Sequence, residues 1–215
     1  TALLHPLCHG RDIGRYEIKS RERRIIYIDN SIDIEDYPNT EKWLLDFKEQ
    51  LSKRREAKKG IISWCGLQWP RVKSELDIKD KILIQNTRNE SLKQRLVATI
   101  DDSGVYSTQG INFIIPKEEG ISLYFILGIL NSKLMNYLFA TKFLNLAIKA
   151  EYLKKVMIPS ESNGNIITIV KDILQTKRLN PKADTSSLEA EIDQLVYQLY
   201  GLTDEEIAIV EGKNE

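Results

Sequence analysis

Apolar positions change their spacing along the chain, and each change marks a different kind of element. From about Thr40 to Lys58 they recur at helical intervals: Trp43, Leu44, Phe47 and Leu51 share one face, Lys and Arg take the other, and Gly60 ends the run. The middle of the chain turns to short, strand-like clusters. Residues 61–64, 81–85, 96–100 and 110–115 carry them, as does the earlier segment 24–29, rich in β-branched side chains. Turn chemistry separates them, in Tyr37-Pro38-Asn39 and in Asp101-Asp102-Ser103-Gly104.

Beyond residue 120 the helical period returns. Ser122 is placed to cap a helix running to about Thr141, with Leu123, Ile126, Leu127, Leu130, Leu134 and Leu138 on its buried side. Asn131 and Ser132 lie inside that apolar run. A buried polar group without a partner costs roughly 1–3 kcal/mol, so both are expected to tie the helix to the sheet. A polar stretch, 160–165, precedes a helix to about Leu179, and 180–187 has the composition of a linker. The chain closes on Leu188, Ile192, Leu195, Val196 and Leu199, one apolar stripe, followed by Gly201 as a helix stop. Thr203 and Glu206 then form a capping box for a second helix. Strands in the middle and helices later predict an α+β fold. Its expected parts are a unit over 1–185, with a β-rich centre (about 61–115) and a helical part (about 121–180), and a helical hairpin over 186–215 packed on it.

Composition changes this picture little, but charge distribution adds to it. The 215 residues are 42% hydrophobic and 29% charged, ordinary for a globular chain, and no apolar run is long enough to span a bilayer. Two cysteines make no disulfide framework and no signal-peptide pattern is present, so a cytoplasmic location is expected. The start at Thr1 suggests a fragment. Net charge is zero overall, yet residues 1–95 carry 20 Lys/Arg against 15 Asp/Glu, while residues 186–215 carry 1 against 8. A basic body with an acidic tail suits a polyanionic partner, although solvated helix faces give the same bias.

Several clusters bear on chemistry. Gly10-Arg11-Asp12-Ile13 with Arg15-Tyr16 offers a close backbone turn and guanidinium forks for phosphate or guanine; a turn held by an Arg11–Asp12 ion pair is the structural alternative. Asp12, Glu17 and Lys19 imitate the acid–acid–lysine set of a metal-dependent nuclease, but their spacing is too tight. His5, Cys8, His9 and Cys65 match no zinc spacing, and buried thiols are the simpler reading. Trp69 precedes a proline on an irregular segment and is expected at the surface, with Arg71 and Lys73 beside it to meet a sugar-phosphate edge; Trp64 is expected in the core. Thr87, Arg88 and Asn89 follow a strand, and Gln109 and Asn112 follow the Ser103-Gly104 turn; as loop residues they are candidates for reading base edges.

Five segments, in order, carry a resemblance. They are Gly10–Tyr16; Trp64 to Lys73 with Lys81-Ile82; Ile129-Leu130-Asn131-Ser132-Lys133-Leu134; Lys155-Val156-Met157-Ile158-Pro159; and Glu191 to Ile207. Together they resemble the C-terminal specificity domain of TaqI-like adenine-N6 DNA methyltransferases and fused type II restriction-modification enzymes. The resemblance implies a target-recognition domain that binds double-stranded DNA through Arg11, Arg15, Trp69, Arg71, Lys73, Thr87, Arg88, Asn89, Gln109 and Asn112. It implies no catalytic, cofactor or metal residue in this chain. The Asn-Pro-Pro-Tyr signature and a glycine-rich S-adenosylmethionine motif are absent from it. An upstream methyltransferase domain of the same polypeptide would bind S-adenosylmethionine, with Mg2+ for any fused endonuclease. A specificity subunit of a multi-subunit restriction system and a protein-interaction module are the alternatives.

Overall fold

The computed structural model describes residues 2–19, 22–88, 91–92, 94–116 and 120–213. Among these, the strands are β1 (Leu4–Cys8), β2 (Ile13–Gly14), β3 (Glu17–Ile18), β4 (Arg24–Ile26), β5 (Lys81–Gln85), β6 (Ala98–Asp101), β7 (Tyr106–Ser107) and β8 (Ile111–Ile114). They form three small sheets: β4-β1-β7, the β2-β3 hairpin and β6-β5-β8. The helices are α1 (Pro38–Leu45), α2 (Lys48–Ser52), α3 (Arg55–Lys58), α4 (Lys73–Asp77), α5 (Leu123–Asn131), α6 (Lys133–Lys142), α7 (Ala150–Leu153), α8 (Gly164–Leu179), α9 (Ser186–Tyr200) and α10 (Asp204–Val210). This is the expected α+β arrangement.

β5 is the pivot. Its residues 81–84 are all buried, because both faces are covered. Ile82 and Ile84 join the largest core with α5, α6, α8 and α9, whereas Leu83 packs with Cys8, Ile13, Val97 and Ile111 on the other side. β5 pairs antiparallel with β6 and β8, with Ile82 opposite both Ile100 and Ile114. Lys81, fully buried, ion-pairs with Asp101 at 3.0 Å and donates to the Leu76 and Ile78 carbonyls, which fastens the end of α4 to the sheet. Asp101 also accepts from Ser103 N and Gly104 N, building the expected turn with Gly104 at φ 78°.

Three expectations need correction. The helix expected over 40–58 is divided into α1, α2 and α3, since Phe47 and Arg54 leave helical dihedrals. Only Leu44 of the expected face is buried; Trp43 and Phe47 remain exposed, packed on each other at 4.9 Å. Residues 61–64 form no strand. Their carbonyls are taken by side chains instead of a ladder: Asn30 Nδ2 donates to Ile61 O and Arg54 Nη2 to Trp64 O. Trp64 is half-buried rather than central. The long helix to Thr141 bends by 61° between α5 and α6. Ser132 takes an extended ψ of 158° there, and its Oγ accepts from Met135 N at 3.2 Å as the cap of α6. Ser122 makes no side-chain cap.

Asn131 has the tying role expected of it. Its Nδ2 donates to Ala98 O at 3.0 Å while its Oδ1 accepts from Ala98 N at 3.1 Å, as a neighbouring strand would. Asn136 Oδ1 accepts from Leu96 N at 2.8 Å one step along. The closing hairpin also forms as expected. Gly201 is left-handed at φ 66°, Leu202 N donates to Tyr197 O, and the Thr203–Glu206 capping box is complete. Ile192 and Val196 are buried in the largest core.

Candidate nucleic-acid interface

Gly10 and Gly110 bring two distant loops into contact. A Cβ on Gly10 would sit 2.8 Å from the Gly110 carbonyl oxygen, so only glycine permits this approach. Asn86 fixes it from a third side: its N–H donates to Gly110 O, its Nδ2 to Gln109 O, and its carbonyl accepts from Ile148 N. The loops after β5, before β8 and after α6 are thereby knitted around one residue.

Beside this junction lies an open cleft of about 760 Å³. Gly10, Arg11 and the β2-β3 hairpin form one wall, while Gln85, Thr87, Arg88 and Gln94 form another; Lys177 of α8 and Glu189 of α9 close it. Five cationic side chains (Arg11, Arg15, Lys19, Arg88, Lys177) face it against two acids, Glu17 and Glu189. Glu189 is neutralised by Arg15, whose Nε donates to it at 2.9 Å. The remaining field is positive, and a low-dielectric wall behind it focuses that field on an anion.

The expected site residues divide into groups. Arg11, on the short 3-10 turn Gly10–Asp12, is exposed and makes no hydrogen bond or ion pair among the described residues. Thr87 is exposed and pairs with Ala147 in an isolated bridge. Arg88 lines the cleft with its Nε on Gln94 O and its Nη1 on Gln85 Oε1, both at 2.8 Å. Burial and the neighbouring Arg95 press its pKa down, a cost that an incoming anion would relieve. Asn89 lies outside the described residues.

Trp69 is 70% exposed, and Gln109 Nε2 reaches its carbonyl at 3.5 Å, so these two sit together beside the junction but not among the cleft residues.

Arg15, Lys73, Arg71 and Asn112, expected to meet phosphates or base edges, direct their polar groups to partners within the fold. The donors of Arg15 go to Glu189 and to Asn131 O, joining the β2-β3 hairpin to the helices. Arg71 lies 3.9 Å above the Phe113 ring and donates to the Thr108 and Ile111 carbonyls; desolvation lowers its pKa. Lys73 pairs with Asp77 at 2.6 Å along α4, and Asn112 donates to Ile148 O. The bonds of Arg15, Arg71 and Asn112 join residues far apart in sequence and so leave no local mark, whereas Lys73–Asp77 is an ordinary i,i+4 pair within α4. Conversely Lys19, Gln94 and Lys177 belong to the cleft unforeseen; only the basic bias of the first 95 residues pointed toward Lys19.

In the nuclease-like set, Glu17 and Lys19 line the cleft, while the Asp12 carboxylate is taken up inside the fold. Asp12 is buried, accepts from His9 N and pairs with Arg23, so the turn is held by Arg23 and not by Arg11. Among the described residues no group of three His, Cys, Asp or Glu is placed to hold a metal ion.

Three comparisons bear on this arrangement. The type II methyltransferase M.BstVI of Geobacillus stearothermophilus is 26% identical over 222 residues, which is 99% of this chain and 37% of that protein. A solved structure, titled as the type IIL restriction-modification enzyme MmeI in complex with DNA, superposes with a TM-score of 0.58 over 96% of this chain and 29% of its own. At 15% identity that likeness concerns the fold. The chain thus spans well under half the length of either protein. Residues 5–159 match the TaqI-like C-terminal specificity domain, and the chain belongs to that family.

Proposed function

We propose that this chain is the DNA target-recognition domain of a restriction-modification enzyme, holding a duplex in the cationic cleft beside the Gly10–Gly110 junction. The carrying observation is the meeting there of Arg11 and Arg88 from opposite ends of the N-terminal half. Arg11 and Lys19 contact phosphates; Arg88 and Thr87, on a loop braced from three sides, reach base edges. Trp69 and Gln109 extend the surface past the junction. The chain itself catalyses nothing. An upstream adenine-N6 methyltransferase domain of the same polypeptide binds S-adenosylmethionine and extrudes the target base, as enzymes that modify a base must. Mg2+ enters only with a fused endonuclease, and the enzyme works in the cytoplasm.

The test is binding of a labelled duplex across a salt series. Affinity should fall steeply as salt rises, and Arg11→Ala should reduce the log–log slope by about one, the signature of one lost phosphate contact. In the full enzyme, Arg88→Ala should lower site-specific methylation while cofactor affinity stays unchanged. Absence of salt-sensitive binding even at low ionic strength would refute the reading.

A further inference from the structure

The segment joining α6 to α7 borders the cleft without belonging to it. Thr87 pairs with Ala147, and Arg88 N donates to Leu146 O at 2.9 Å. Within this segment Leu144 and Leu146 are 66% and 58% exposed. A single exposed leucine needs no explanation. Here, however, the backbone that carries both is held so that neither can fold inward.

Arg95 does the holding. Only 1% exposed, it donates through Nη1 to Arg88 O at 2.7 Å and through Nη2 to Phe143 O at 3.4 Å and to Asn145 O. Phe143 is stacked on Tyr152 at 4.5 Å, and Asn145 Nδ2 donates to the Tyr152 hydroxyl. At the far end Ile148 is buried and clamped by Asn86 and Asn112. A buried arginine given over to carbonyls of a surface loop fixes that loop's shape before any partner arrives, and such preorganisation lowers the entropy lost on binding.

We infer that Leu144 and Leu146 are apolar contacts to duplex DNA, meeting thymine methyl groups next to the bases that Arg88 reaches. The inference rests on the DNA-recognition reading above and adds to it a class of readout the polar residues cannot supply. The thymine C5-methyl is the one apolar feature of the major-groove edge, and side chains of this kind recognise it. DNA is the occupant because the backbone carrying these leucines is bonded directly to Thr87 and Arg88 of the cationic cleft, whose charge an apolar protein surface would leave uncompensated.

The experiment uses a duplex pool with a randomised centre, retained on the protein, sequenced, and then resynthesised as single duplexes with thymine or with uracil. For the wild type, uracil should cost about tenfold in affinity at one or more selected positions. The Leu144→Ala/Leu146→Ala double variant should melt like the wild type, bind the thymine duplex about tenfold more weakly, and be indifferent to uracil. Its salt slope should be unchanged. Equal affinity and the same selected sequence would overturn the inference, as would weaker binding still sensitive to the methyl groups. It would equally be overturned by a self-associated wild type that the double variant renders monomeric. A wild type that retains no duplex would instead refute the DNA-recognition reading itself.

Discussion

His5 and Cys8 stand three positions apart on β1, an odd separation that sends their side chains to opposite faces of the strand. His5 stacks on Tyr106 at 3.9 Å, where burial lowers its pKa; Cys8 goes into the cluster with Ile13, Leu83, Val97 and Ile111. Cys65 lies in a third place, with Leu3, Ile28, Ile34 and Leu44. The three side chains therefore point into three different surroundings. Burial, with Asp12 nearby, pushes the Cys8 thiol up to about 12. Only the thiolate reacts, so native Cys8 at mildly alkaline pH should alkylate roughly a thousandfold more slowly than in urea. Mass spectrometry of iodoacetamide-treated protein checks this, and native labelling at the unfolded rate would contradict the burial. The same lesson applies to the guanidinium groups. Arg11, Arg15, Arg71, Arg88 and Arg95 are chemically alike, and whether each faces solvent or clamps carbonyls depends on neighbours that arrive from distant sequence.

Between elements, α5 packs tightly on α8, and Gly128 makes it possible. A Cβ there would lie 2.6 Å from Ile166 Cγ2 and 3.1 Å from Val170 Cγ2. Alanine normally favours a helix over glycine by about 1 kcal/mol, but Gly128→Ala should destabilise the protein by about 1–3 kcal/mol through overpacking. Urea unfolding measures it; a stabilised variant would mean the two helices separate freely. Elements whose instructions are local were legible in the sequence. β5, α8 and the Gly201 hairpin fall where period, cap and stop residues placed them. The break at Ser132 was not, because apolar periodicity runs on through it while the cap competes with helix continuation only once Asn131 has a strand to grip. Nor was the loss of the 61–64 strand, since β-branched content says nothing about whether a partner edge is within reach. For the site, the loops were legible and their contents only in part. Arg88 and Arg11 were found by type and position, while Lys177 enters the cleft from α8, a helix with no sequence mark of involvement.

At the scale of the molecule, the acidic closing segment is structurally continuous with the basic body. Glu189 takes Arg15; Glu211 takes Lys133 at 3.2 Å; Asp193 accepts from Lys133 N at 2.8 Å. Together with Ile192 and Val196 in the main core, these contacts make the hairpin a part of the fold that carries the cleft. We expect a chain ending before Ser186 to lose its cooperative thermal transition, followed by circular dichroism. A sharp transition in that truncated chain would instead make residues 1–185 an independent unit. A last consequence follows from the grip of Asn131 and Asn136 on β6. An outermost strand ordinarily offers its free N–H and C=O groups to any extended chain that drifts past, and so seeds aggregation. Here two side-chain amides occupy the Leu96 and Ala98 positions of that rim. Neither amide lines the cleft, so substitutions among the cleft residues leave this rim closed.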